Sequence, residues 1–211
     1  MSRFLIITFC FALFAVPAAA QGPAPAAVNS PVYNDLVAKV KRGDLSVDFK
    51  AMRFAFAEHG GTNVSDPRVH GMMLKALNEK KYKEAVKMAE GIHKINFVDM
   101  NSHIIAAMAY KSLGDAKQSK FHESVYLGLV NSIVKDGDGN STKSAYVVIS
   151  LSEVPVVLNA LELKPAGQSI IEEDGHKYGI LTATDKGTNA TTKVYFNIDL
   201  ASKGMEKVVK K

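Results

Sequence analysis

Asp136, Asp138 and Asn140 fall at alternate positions of the loop Asp136-Gly137-Asp138-Gly139-Asn140. That is the one-three-five spacing by which a calcium loop offers oxygen ligands to a hard cation. The rest of the loop departs from it, with Gly139 at position four, Ser141 at position six and Val147 at position twelve in place of a bidentate glutamate. Aspartate and glycine are also ordinary turn residues, so a turn accounts for these calcium candidates without an ion. Ser132-Ile133-Val134-Lys135 spells the Ser-x-x-Lys of penicillin-recognising enzymes. It closes an apolar periodic segment instead of opening one, no Lys-Thr-Gly follows, and 15 serines with 22 lysines make a chance match expected.

The histidines are His59, His70, His93, His103, His122 and His176. None forms His-Glu-x-x-His and no two are three or four apart, so no zincin-type site is spelled locally. His103 and His122 stand on either side of Gly114-Asp115. Folding the chain back there leaves them offset by about four residues, roughly 6 Å along a helix axis. That reads as two packed or surface histidines, with a shared metal or relay as the alternative. The chain has no Gly-x-Ser-x-Gly elbow, no phosphate-binding loop and no dinucleotide glycine fingerprint. No catalytic residue and no cofactor is assigned from the sequence.

The segments that must carry these residues change period midway. Ser30-Pro31 caps a first helix with Leu36, Val37 and Val40 on one stripe, stopped by Gly43. A second starts near Ser46, carries Phe49, Met52, Phe54 and Phe56, and ends at Gly60-Gly61. Asp66-Pro67 opens a third with Met73, Leu74, Ala76 and Leu77. Another begins at Tyr82 with Ala85, Val86, Ala89 and Ile92. A fifth begins near Asp99 with Ile104, Ile105, Ala107, Met108 and Tyr110. The sixth follows Gly114-Asp115, with Phe121, Val125, Leu129 and Ile133 on one face. The last four read as two copies of one unit. Met73 and Ala107, Ala76 and Tyr110, and Ala85 and Ser119 are each 34 residues apart, the period of the tetratricopeptide repeat, which these segments resemble. Small residues where such helices cross let the backbones approach.

Beyond the acidic loop the pattern alternates. Ser144 to Ile149 reads as a strand, central because Tyr146-Val147-Val148-Ile149 is apolar throughout. Ser152 caps a short helix running to about Leu161. Gln168 to Glu173 and His176 to Thr184 form a hairpin about Asp174-Gly175. A last strand turns Val194, Phe196, Ile198 and Leu200 inward and Lys193, Tyr195, Asn197 and Asp199 outward. The expected fold is α+β: helical hairpins at 30–135, an acidic glycine loop at 136–143, then a four-stranded, mostly antiparallel sheet with one short helix at 144–200, and a basic tail at 201–211.

Read in order, several segments resemble a family of exported bacterial proteins, the domain-of-unknown-function family 4919. They are Gly43-Asp44-Leu45-Ser46-Val47-Asp48-Phe49, the Gly114-Asp115 turn, Ser132-Ile133 running into Asp136-Gly137-Asp138-Gly139, Ala145-Tyr146-Val147-Val148-Ile149-Ser150, Gly175-His176-Lys177-Tyr178 and Phe196-Asn197-Ile198-Asp199. The resemblance implies one fold over nearly all of the chain past its leader. It lends no reaction, cofactor or functional residue.

The leader is residues 1–20. Arg3 precedes an apolar run from Phe4 to Val16, and Ala18-Ala19-Ala20 offers a small-x-small cleavage site between Ala20 and Gln21. The run is too short for a stable membrane span. A Pro/Ala linker follows at 21–29. The only cysteine, Cys10, lies in the leader, so an exported mature chain has neither disulfide nor thiol ligand. A net charge of +5 with only four arginines argues against a nucleic-acid partner. These features point to a periplasmic or secreted, non-catalytic interaction or scaffold module with a protein or peptide partner. The alternatives are a small-molecule or glycan site on the sheet face at Lys193, Tyr195 and Asn197, or a hydrolase using His103 or His122 as base near Glu90.

Overall fold

The computed structural model describes residues 28–61 and 67–203. Along the chain run α1 (Pro31–Lys41), α2 (Phe49–Glu58), α3 (Pro67–Asn78), α4 (Tyr82–Ile95), α5 (Met100–Ser112) and α6 (Ala116–Val134). A 3-10 turn at Thr142–Ser144 leads to β1 (Tyr146–Val147), α7 (Glu153–Ala160), β2 (Leu163–Glu173), β3 (His176–Asp185) and β4 (Thr191–Asn197). Residues 199–203 are again helical. The fold is α+β. The leader, with its Ala20–Gln21 cleavage point, and residues 204–211 of the tail lie outside the described residues, while Val28, inside the expected linker, is buried in the core.

Side-chain caps set the helix starts. Ser30 accepts from the Tyr33 amide ahead of Pro31, and Asp48, Asp99 and Asp115 accept from the amides of Ala51, Ser102 and Gln118. The second helix therefore opens at Phe49 instead of near Ser46. Ser46 is held outside it, donating both its amide and its hydroxyl to the Asp44 carboxylate.

The two central hairpins repeat bond for bond. Lys81 N–H donates to Ala76 O and Lys80 N–H to Leu77 O; 34 residues on, Asp115 N–H donates to Tyr110 O and Gly114 N–H to Lys111 O. Lys80 and Gly114, also 34 apart, both hold positive φ, +60° and +81°. Both turns thus close their first helix with the left-handed residue of a Schellman motif. Helices α3, α4 and α5 pack mutually, and α5 lies against α6. Small residues at the crossings, Ala76, Ala85, Ala89, Ala106 and Ala109, form one apolar cluster with Met73, Leu77 and Ile105. A second, larger cluster joins α1, α2, the core face of α6, α7 and the sheet.

The sheet order is β1-β4-β3-β2. Two pairings are antiparallel and β1 runs parallel to β4, Tyr146 opposite Phe196, so the sheet is mixed. The Asp174-Gly175 turn has positive φ at both residues, as a tight hairpin requires. One expectation changes: Tyr146 to Ile149 forms not a central strand but a two-residue strand at the sheet edge. Tyr146, Val148 and Ile149 are nevertheless buried. An apolar run reports that both faces are covered and says nothing about the number of strand neighbours. Here α6 packs on β1, and the Arg53 guanidinium from α2 donates to the open Val147 carbonyl.

Candidate functional site

Three helices of the hairpin stack each send one imidazole to a single point: His93 near the end of α4, His103 in the first turns of α5, and His122 in α6. All three are buried, and one ring nitrogen from each lies within 4.8 Å of the others. His122 continues the very stripe that buries Val125, Leu129 and Ile133. His103 sits one turn before Ala106 and Ala107, and His93 one turn after Ala89. The core face of each helix therefore carries an imidazole where an aliphatic side chain would be expected.

Hydrogen bonds determine how the rings are protonated. His103 Nε2 lies 2.8 Å from the Phe97 carbonyl, which can only accept, so Nε2 carries the hydrogen and Nδ1 presents a lone pair. His103 Nδ1 and His122 Nδ1 are 2.9 Å apart, which makes His122 Nδ1–H the donor of that bond. His93 stacks on His103 with centroids 4.1 Å apart and on His122 at 5.1 Å; Tyr110 stacks on His122 at 5.5 Å. Nε2 of His93 is buried with no hydrogen-bond partner.

Burial disfavours charge on every ring. It pushes the His103 imidazolium down to about 3, helped by His122 and opposed by the Phe97 carbonyl. The same desolvation takes His122 to about 4 against the pull of Glu90. Burial first, then the proximity of His103, His122 and Lys41, drives His93 far down as well. At neutral pH the cluster is three uncharged imidazoles. Such rings can ligate a borderline transition ion or share protons, and they cannot serve as cations.

The expected four-residue offset between His103 and His122 is spanned by the rings themselves, and His93 completes a set that linear spacing does not reveal. The hydrolase arrangement does not form around them. Both nitrogens of His103 are engaged, by Phe97 and by His122, and the Glu90 carboxylate accepts from the Tyr110 hydroxyl. A cavity between Phe56, Asp99, Ser150, Ser152 and Glu153 has room for about one water, far below the size of a small-molecule pocket.

In the acidic loop, Asp136 pairs with Lys50 at 2.5 Å, and Asp138 accepts from the Asn140 amide and the Ser144 hydroxyl. Bonds from Ser144 and Asn140 hold the Asp138 carboxyl below its ordinary range. On the sheet, Val194, Phe196 and Ile198 face the core while Lys193 is exposed and Tyr195 and Asn197 half-buried, as the alternation implies. Ser132 accepts from Arg53 and donates to the Leu129 carbonyl.

Sequence reasoning passed over Arg53. It is fully buried and forks onto Glu153 with bonds of 3.0 and 2.6 Å, while Glu153 also accepts from the Ile149 amide. The pair joins α2 to the start of α7 across 100 residues of chain. A single arginine among Phe and Ala on a helix marked as buried is the signal that was available.

Stacked helical hairpins, a mixed four-stranded sheet behind them and a neutral imidazole cluster inside them define the class: an α+β protein whose buried polar groups lie in its helical half. A family model described as Domain of unknown function (DUF4919) matches residues 61–207, and the chain belongs to that family. The match spans α3 through β4 and leaves out Gly43 to Phe49, a shorter reach than the resemblance implied. No curated protein and no solved structure matches the chain.

Proposed function

We propose that this is an exported, non-catalytic interaction module that presents its hairpin stack to a protein or peptide partner. One observation carries the reading: two hairpins whose turns superpose bond for bond at a 34-residue interval, with α3 packed beside α5. Stacked hairpins bury their cores between neighbours and leave their outer faces for recognition. Met72 on α3 and Met108 on α5 are 57% and 43% exposed, each one turn ahead of a lysine, Lys75 and Lys111. Exposed methionine adapts to varied apolar surfaces, and lysine beside it favours an acidic peptide. The N-terminal leader pattern supports export, and among the described residues no helix is long and apolar enough to cross a membrane.

Two measurements test this. Sequencing the N-terminus of protein recovered from the producing cells should return a chain beginning at Gln21; an intact Met1 terminus in cytoplasmic fractions would refute export. Capture from envelope extract should retain a specific protein that the Met72→Asp/Met108→Asp variant releases. Identical capture by both forms, or none by either, removes the interaction reading.

A further inference from the structure

We propose that His93, His103 and His122 form a binding site for a borderline divalent transition-metal ion, of which Zn2+ is the representative probe. The proposal stands apart from the interaction reading and rests on four observations. First, one nitrogen from each of three different helices comes within 4.8 Å of the others, and this is the only such group of three His, Cys, Asp or Glu among the described residues. Second, the His103 Nε2 hydrogen bond to the Phe97 carbonyl orients that ring and turns its Nδ1 lone pair inward. Metal-ligating histidines are held in the same way by a carbonyl on the opposite nitrogen. Third, His93 is buried and its Nε2 has no partner. A buried unsatisfied nitrogen costs about 1–3 kcal/mol, and a native site that tolerates one calls for a missing bonding partner. Fourth, Glu90 lies close enough to act on His122 and is held by Tyr110, placing negative charge beside the cluster.

The donor set selects the ion. Neutral imidazole suits zinc, copper and nickel, whereas calcium and magnesium need oxygen ligands, and no thiol is present to favour softer ions. Binding requires the hydrogen that His122 Nδ1 shares with His103 Nδ1 to move to His122 Nε2, a tautomer change with no net loss of a proton. Both Nδ1 lone pairs and that of His93 Nε2 then converge, with the Nδ1 hydrogen bond replaced by ligation at about 2.0–2.1 Å.

The experiment uses the full chain without a histidine tag, stripped of metal by chelator. ZnCl2 is titrated calorimetrically and by competition with a chromophoric chelator, and Co2+ is added to read its visible spectrum. One equivalent per chain is expected, with a Co2+ spectrum of low coordination number and histidine nitrogen shifts at residues 93, 103 and 122. His93→Gln is the primary variant because it breaks no hydrogen bond; it should lose at least about tenfold in Zn2+ affinity with unchanged circular dichroism. His122→Gln should do the same, while His59→Gln and His176→Gln should bind as the wild type does. The proposal fails if the folded chain takes up no stoichiometric Zn2+, or if folded His93→Gln and His122→Gln bind it undiminished.

Discussion

A buried charge is tolerated only where every hydrogen-bonding position around it is filled, and Arg53 shows what that takes. Its guanidinium reaches Glu153, the Val147 carbonyl and the Ser132 hydroxyl. Removing one partner strands the other, so Glu153→Ala is expected to lower stability by about 3–5 kcal/mol in urea unfolding. The double replacement Arg53→Met/Glu153→Leu should recover a large part of that loss. No recovery would mean that the bonds to Val147 and Ile149, more than the ion pair, hold the junction. A second residue-scale prediction concerns Asp199. Desolvation raises its pKa, but the Lys177 amide and the His176 and Asn197 side chains outweigh it and hold the carboxyl below its ordinary value. The folded form therefore binds its proton less readily than the unfolded chain, which titrates near about 3.9. The contribution is fully present above that value and lost as pH falls through the lower folded one. Urea midpoints measured from pH 6 down to 2.5 should decline less steeply for Asp199→Asn than for the wild type.

Between elements, the repeated turn provides an internal control. Lys80 and Gly114 occupy equivalent left-handed positions, but only Gly114 does so without a side-chain penalty. Lys80→Gly should stabilise the protein and Gly114→Ala destabilise it, each by about 1 kcal/mol. Nothing lies within 4 Å of a Cβ built on Gly114, so backbone strain alone is measured there. Gly128 behaves differently. It is a poor helix former in the middle of α6, yet a Cβ there would meet the Phe49 ring at 2.4 Å. Gly128→Ala is expected to lower stability despite alanine's higher helix propensity, read as a lower thermal midpoint. A rise would show that α2 can shift off α6 without loss. The helices, their caps and the turn between them were legible because they depend on neighbours within about five residues. The edge position of β1 was not, since the cover over Tyr146 comes from α6 and from Phe196 on a strand 50 residues on.

Across the whole molecule the two apolar clusters differ in kind. The one around α3, α4 and α5 is dominated by alanines, while the other holds Phe49, Phe56, Phe196, Leu129 and Ile149. Less apolar area leaves water per residue in the first, so it opens at lower free energy. Native-state hydrogen exchange should find amides of α3 and α4 less protected than those of α6 and β4. Uniform protection across both halves would show a single cooperative unit. The histidine cluster sits where α4 joins α5 and α6, at the seam between these halves. If it binds Zn2+, the ion should raise protection in α4 more than in β3 or β4.

Periodicity, caps and turn residues, all properties of short stretches of chain, were enough to establish the α+β order, the 34-residue duplication and the Asp174-Gly175 hairpin. Hydrophobic stripes likewise foretold which faces of α4, α5 and α6 are buried. What the stripes could not say is that one histidine from each of those faces arrives at the same point, or that Arg53 meets Glu153. Such meetings depend on how the helices cross and on side chains brought together from 10 to 100 residues apart. Only the packed structure decides them, because the energy that selects a crossing is summed over the whole interface and is written in no single segment.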